Sequence, residues 1–254
     1  MQYGISNLSI IPMRNEAADQ SEMVNQIIFG EHFKILECRK KWSRIRLAHD
    51  SYEGWICNKQ WIEISEEEYK QLDKDVSTIT TDILDIITKK QHQPIVIGSI
   101  LPNYKSGHAL INNEMYQFDG FTTPGFTQKK KLIENALMYL NAPYLWGGRS
   151  PLGIDCSGFT QMVYRLQGIN LPRDAYQQAD VGTTLSFVDE SEPGDLASFD
   201  NNEGEITHVG IILEENHIIH ASGKIRIDRI DQQGIFNTEI GTHTHKLRLI
   251  KSIT

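Results

Sequence analysis

From Leu8 to Ile64 short apolar-rich runs alternate with turn residues: Val24–Phe29, a Gly30-Glu31 turn, His32–Glu37, Trp42–Leu47 and Gly54–Ile56. Runs of this length and spacing predict the strands of a small barrel. Glu66–Leu72 is short and charged and predicts a connecting turn of helix, so the first domain is expected to span 1–66. A second strand-rich stretch follows. Its most β-like run is Pro94–Pro102, and Asn112-Asn113 reads as a hairpin turn between Ala109–Ile111 and Met115–Gln117, giving a second small barrel over 67–125.

After Pro124-Gly125 the period changes. Leu132, Ile133, Ala136, Leu137 and Leu140 recur at helical spacing from Lys129 to Leu140, with Pro143 beyond them as a stop. Phe159, Met162, Val163 and Leu166 fall at i, i+3, i+4 and i+7, one apolar stripe of a helix that Asp155 caps and Gly168 ends. Strand patterns come afterwards. Helices first and strands second predict an α+β domain over 126–254.

Two of those strands carry candidate chemistry. Ile206–Leu213 and His217–Ser222 are joined by Glu214-Glu215-Asn216. A three-residue loop with Asn216 left-handed sets Leu213 opposite His217 and Gly210 opposite His220. His208 and His220 then share one sheet face as diagonal neighbours. A loop one residue shorter would send them to opposite faces. The cap at Asp155 makes Cys156 the first helical residue, where unpaired N–H groups and the helix dipole are expected to lower its pKa below the usual value of about 8.5. A thiol at a helix start and two imidazoles on one face supply a nucleophile, a base and an orienting group. In chain order, His208 is assigned as base and His220 as orienter. His32, His49, His92, His108, His217, His243 and His245 are read as satisfied polar residues, and Cys38 and Cys57 as packing residues.

Composition narrows the classes. A chain of 254 residues accommodates up to three domains, and a formal net charge of −8 argues against tracking nucleic acid by bulk electrostatics. Three cysteines, odd in number and without CxxC spacing, suggest neither a disulfide framework nor a zinc ribbon and fit a reducing cytoplasm. There is no apolar run of about 18 residues, and Met1–Arg14 lacks a basic start with an apolar stretch and cleavage site. With Met1 as the native start, the expectation is a cytoplasmic monomer without a membrane partner; a trimmed leader would leave the same sequence.

The run from Ala142 to Phe159, Ala-Pro-Tyr-Leu-Trp-Gly-Gly-Arg-Ser-Pro-Leu-Gly-Ile-Asp-Cys-Ser-Gly-Phe, with Pro193–Leu196, Thr207–Ile211 and His220 downstream, resembles the NlpC-type papain-like cysteine peptidases of bacterial cell-wall metabolism. The resemblance implies Cys156 as nucleophile, His208 as base, His220 as third polar residue, and Tyr144 as an oxyanion donor beside the backbone N–H of Cys156. Arg14, Ser21–Val24, Gln26, Phe29–Glu31 and Tyr52–Ile56 are similar to the bacterial SH3-like domains that precede such peptidases in an intracellular, murein-recycling branch. In that branch the first SH3-like domain closes the far end of the groove, so that only a short peptide with a free amino terminus is accepted. This implies that Asp155 and Tyr52 meet the substrate ammonium, with a glutamate nearby for which Glu53, Glu22 and Glu16 are candidates. Ser157 is a candidate for the substrate carboxylate.

The expected substrate is therefore a small murein-derived peptide, L-Ala-γ-D-Glu-diamino acid, cut after the γ-glutamyl residue. An alternative is a secreted hydrolase acting on intact wall. A non-catalytic binding protein is opposed by the presence of Cys156, His208 and His220 together. A zinc site on those same three residues lacks a glutamate base at characteristic spacing, so no metal or other cofactor is expected.

Overall fold

The computed structural model describes residues 1–125 and 129–253. It comprises two compact units, Met1–Phe126 with Trp146–Pro151, and Thr127–Leu145 with Leu152–Thr254. The boundary expected at residue 126 lies outside the described residues.

In the first unit, a seven-stranded sheet runs in the order Met23–Ile28, Ile10–Arg14, Glu53–Cys57, Trp42–Leu47, His32–Cys38, Gln2–Ile5 and Ile62–Ile64. Trp42–Leu47 shows why such runs become strands. Ser43, Ile45 and Leu47 are buried while Arg44 and Arg46 are exposed, which is the period of two that a half-buried strand imposes. Ile11, Met13, Ile27, Phe33, Ile45 and Ile56 fill the core. The connecting helix is Glu66–Lys74, capped by Ser65, whose side chain accepts from the Glu68 N–H. Its Tyr69 and Leu72 join Ile5 and Phe29 on one side and Ile87, Ala109 and Phe118 on the other. A single core thus spans the expected 66/67 boundary.

Pro94–Pro102 is not one strand. It breaks into His92–Val96 and Ile100–Leu101 because Gly98 turns the chain at φ +79°. Asn112 and Asn113 take φ +51° and +62° and join His108–Ile111 to Glu114–Gln117 as a two-residue hairpin. Trp146–Pro151 clusters with this unit through Arg149. Its fully buried guanidinium donates to Glu31 at 3.0 Å and to the Gln26 carbonyl at 2.9 Å.

The second unit opens with a helix, Lys129–Leu137, three residues shorter than expected. Tight turns at Tyr139 and Leu140 and a left-handed Asn141 at φ +68° end it before Pro143, leaving Leu137 and Leu140 exposed. Next comes Cys156–Arg165, which is buried on every side rather than along one stripe. Its polar residues are matched accordingly. Thr160 Oγ1 donates to Gln178 Oε1 at 2.6 Å and Gln161 Nε2 to the Leu171 carbonyl at 2.9 Å.

The helix packs on a seven-stranded antiparallel sheet ordered Thr183–Leu185, Thr242–Ser252, Leu196–Asp200, Ile206–Leu213, His217–Ser222, Lys224–Asp231 and Gly234–Asn237. Gly234–Asn237 pairs back onto Thr242–Ser252, so the sheet closes on itself. Closure needs glycine at its tightest point. Gly234 sits at φ +138°, and a Cβ there would lie 1.8 Å from the His245 carbonyl oxygen. Among the described residues, no helix is long and apolar enough to cross a membrane.

Candidate active site

Asp155, extended at φ −94° and ψ 178°, caps the Cys156 helix by accepting the Gly158 N–H at 2.7 Å. Its carboxylate is also gripped by the buried Arg173, which donates from Nη1 to Oδ1 at 3.0 Å and from Nη2 to Oδ2 at 2.5 Å. The same Nη1 reaches Ser157 Oγ at 2.8 Å. Asp155 and Ser157 are therefore two arms of one buried network around the guanidinium. Arg173→Ala would remove the two-pronged ion pair from a buried carboxylate, and we expect a loss of about 3–5 kcal/mol of stability in urea unfolding. A loss below about 1 kcal/mol would show the ion pair to be dispensable.

Cys156 is 5% exposed. Here the structure corrects the expected pKa. Burial, assisted by the Asp155 charge, pushes the thiol up to about 12 against the opposing pull of the Val209 and Ser157 N–H groups and Arg173. The resting sulfur is a thiol because removal from water outweighs the Val209 and Ser157 N–H groups and Arg173.

The Val209 N–H that faces the sulfur belongs to the residue after His208. The histidine hairpin has the register that its loop length dictates. Gly210 pairs with His220 and Leu213 with His217, with Glu215 and Asn216 at φ +55° and +57°. Gly210 is required beside His220, since a Cβ there would lie 2.9 Å from the His220 Cβ. His208 Nε2 and His220 Nδ1 are 2.9 Å apart, and His220 Nε2 lies 2.9 Å from Asp228 Oδ2. Arg226 completes the chain, donating from Nε to Oδ2 at 2.7 Å and from Nη2 to Oδ1 at 2.9 Å.

This chain fixes the tautomers. The Asp228 carboxylate only accepts, so His220 must donate from Nε2 and accept at Nδ1. His208 then donates from Nε2, and its unprotonated Nδ1 is the atom free to take a proton. Burial would raise the Asp228 carboxyl, but the His220 and Arg226 donors outweigh it and hold it below the ordinary value. His208 is held well below its ordinary value by burial and by the neighbouring His220 and His245 rings. A neutral imidazole thus accompanies a neutral thiol.

His208, His220 and His245 bring ligand nitrogens within 4.8 Å of one another. They are not arranged as a ligand set. His208 Nε2 and His220 Nδ1 bond each other, and the His208 and His245 rings stack at 27°, so their in-plane lone pairs run side by side rather than converging.

Residues 141–243 match the NlpC/P60 family, and residues 13–60 match the bacterial dipeptidyl-peptidase Sh3 domain. The carboxy-terminal unit is an NlpC/P60 peptidase domain. The chain is 27% identical to dipeptidyl-peptidase 6 of Lysinibacillus sphaericus over 84% of its own length and 86% of that protein. It is 25% identical to the γ-D-glutamyl-L-lysine dipeptidyl-peptidase of Bacillus cereus over 79% of its own length and 68% of that protein. The crystal structure of an NlpC/P60 family protein from Bacillus cereus has the same fold, with a TM-score of 0.80 at 18% identity, covering 98% of this chain and 99% of that one.

Within the NlpC/P60 domain, Tyr144 is 37% exposed. Partial burial, with Cys156 and the Asp155 carboxylate nearby, pushes its hydroxyl up to about 12, so it keeps its proton and can donate. In the amino-terminal unit, Tyr52 is half-buried against the barrel core and its N–H donates to Asp50 Oδ1 at 2.9 Å. Both Glu53 carboxylate oxygens are engaged, Oε2 by Arg44 at 2.7 Å and Oε1 by Arg46 at 2.5 Å. Glu22 accepts from Trp146 Nε1 at 2.6 Å.

Arg173, Arg226 and Asp228 were given no role by the sequence reading, and His245, read there as a satisfied polar residue, stacks on the His208 ring. For Arg226 and Asp228 a signal existed. Gly223 turns at φ +70° between paired Ser222 and Lys224, so carrying the register one hairpin further sets Arg226 opposite His220 and Asp228 one diagonal away.

Proposed function

We propose that this protein is a cysteine peptidase that hydrolyses the D-γ-glutamyl–diamino acid bond of murein stem peptides bearing a free amino-terminal L-Ala, in the recycling of cell-wall peptides. The observation that carries the reading is the hydrogen-bonded chain from His208 Nε2 through His220 to Asp228, on a strand packed against the Cys156 helix, which assigns His208 Nδ1 as the base. The dipeptidyl-peptidase relatives and the Sh3 match support the choice of substrate.

Cys156 Sγ attacks the γ-carbonyl carbon as its proton passes to His208 Nδ1. The oxyanion is met by the Tyr144 hydroxyl and the Cys156 backbone N–H. His208 then returns the proton to the leaving amine as the C–N bond breaks, and water, deprotonated by the same nitrogen, releases the acyl group. The Asp155 carboxylate, held in place by Arg173, carries the negative charge that the substrate ammonium would meet, while a chain continuing through the site would bring no positive charge there.

L-Ala-γ-D-Glu-meso-diaminopimelate, its lysine analogue, the amino-acetylated peptides and intact sacculi are to be incubated with the protein and the products read by mass. Release of L-Ala-γ-D-Glu from the free peptides, with kcat/KM lowered at least about tenfold by acetylation, is the expected result. Equal rates on blocked and free peptides remove the role given to Asp155. Efficient release from sacculi favours the wall-hydrolase alternative.

A further inference from the structure

His245 lies outside the donor chain just described, yet its ring lies flat on that of His208, with centroids 4.2 Å apart and 27° between planes. The placement is built by the sheet. On one side of Thr242–Ser252 the register slips between Ile235 and Phe236, so Thr244 is unpaired; on the other it slips between Ser198 and Phe199, so Arg248 is unpaired. Bulges on both flanks turn this segment of the strand, and bulges beside active sites commonly re-aim a side chain. Gly234 leaves room for the His245 carbonyl, which any Cβ at that position would displace. Thr244 Oγ1, 2.9 Å from His245 Nδ1, restrains the ring itself.

Phe199 completes the enclosure, 5.8 Å from the His208 ring and 6.0 Å from that of His245. We propose that His245 is a positioning residue of the peptidase: its neutral ring clamps the catalytic imidazole in the plane that keeps Nε2 on His220 and Nδ1 free, and screens the His208–His220 bond from water. This rests on the peptidase reading and deepens it.

Among the described residues, His220 lies edge-on, 5.6 Å from His245, with Asp228 and Arg226 behind it, and Phe199 on the other flank is uncharged. Burial, with His220 nearby, lowers His245 to about 4 against the opposing pull of Asp228, so it adds no charge at neutral pH.

The test compares His245→Ala with His245→Phe, which restores a flat ring without nitrogens. Two readouts are taken: kcat and KM against pH on the free peptide, and 13C-histidine NMR titration of His208 without substrate. We expect His245→Ala to lower kcat about tenfold with KM little changed. Opening His208 to water moves its titration up toward 6.5, and the acid limb of kcat/KM moves with it. His245→Phe is expected to restore most of kcat and the wild-type titration. Unchanged kcat and His208 titration in His245→Ala overturn the proposal, as does a Phe variant no better than Ala. If wild type cleaves none of the peptides, the function falls, while the NMR arm still decides whether His245 shields His208.

Discussion

Cys156→Ala is expected to remove turnover of the free peptide down to background, a loss of about 10⁴-fold or more, while the protein stays folded. The size follows from the mechanism. No other group can form the acyl intermediate, and removing the nucleophile of a triad leaves only the contributions of the oxyanion donors and binding. The fold survives because the resting sulfur is an uncharged thiol, so alanine takes away one buried atom and no ion. Mass-detected turnover and a thermal melt of the same preparation check both halves. Retained activity in the variant, or wild-type activity abolished only by a chelator, rules the thiol mechanism out.

Asp228→Asn carries the second largest expected effect and addresses the orienting end of the chain. An amide can donate toward His220 Nε2, which would then accept there and donate from Nδ1 instead. His208 Nε2 would have to accept in turn, and Nδ1 would present a proton to the thiol rather than a lone pair. A wrong tautomer at the base costs about 10⁴ in kcat in the serine protease triad. With one more imidazole between acid and base, a fall of about 10²–10³-fold is expected, in kcat rather than KM. Stability supplies an independent check. Asp228 has a lowered pKa in the fold, so its contribution is present above the unfolded value of about 4 and is lost as pH falls through the folded value. The Tm difference between Asn and wild type should therefore be largest near neutrality and shrink in acid. Wild-type kcat in Asp228→Asn would dismiss Asp228 as an orienter.

The features legible from sequence are those set by neighbours along the chain. Loop length and a left-handed Asn216 dictated the register that aligns the two histidines, and Asp155 marked the helix start. What stayed hidden depends on closure. No local pattern says that Arg173 folds back onto Asp155, or that a strand ending at Ser252 brings His245 over a ring on Ile206–Leu213. Proximity to a helix end is visible in sequence, but the depth of burial that raises the Cys156 thiol is not. The polar residues of the Cys156 helix misled for the same reason. Thr160 and Gln161 imply a solvent face until Gln178 and Leu171 supply their partners. Pro94–Pro102 failed differently, because its apolar run concealed the left-handed turn at Gly98.

A sulfur stored with its proton in place is chemically quiet. Peroxide and simple haloacetyl reagents consume thiolates, so the Cys156 sulfur should outlast Cys38, which lies exposed rather than packed as its sequence position suggested, in an oxidising or alkylating medium. Inhibitors for such a protein are better sought among electrophiles shaped like the substrate, which bring the trigger for deprotonation with them, than among warheads that wait for an anion.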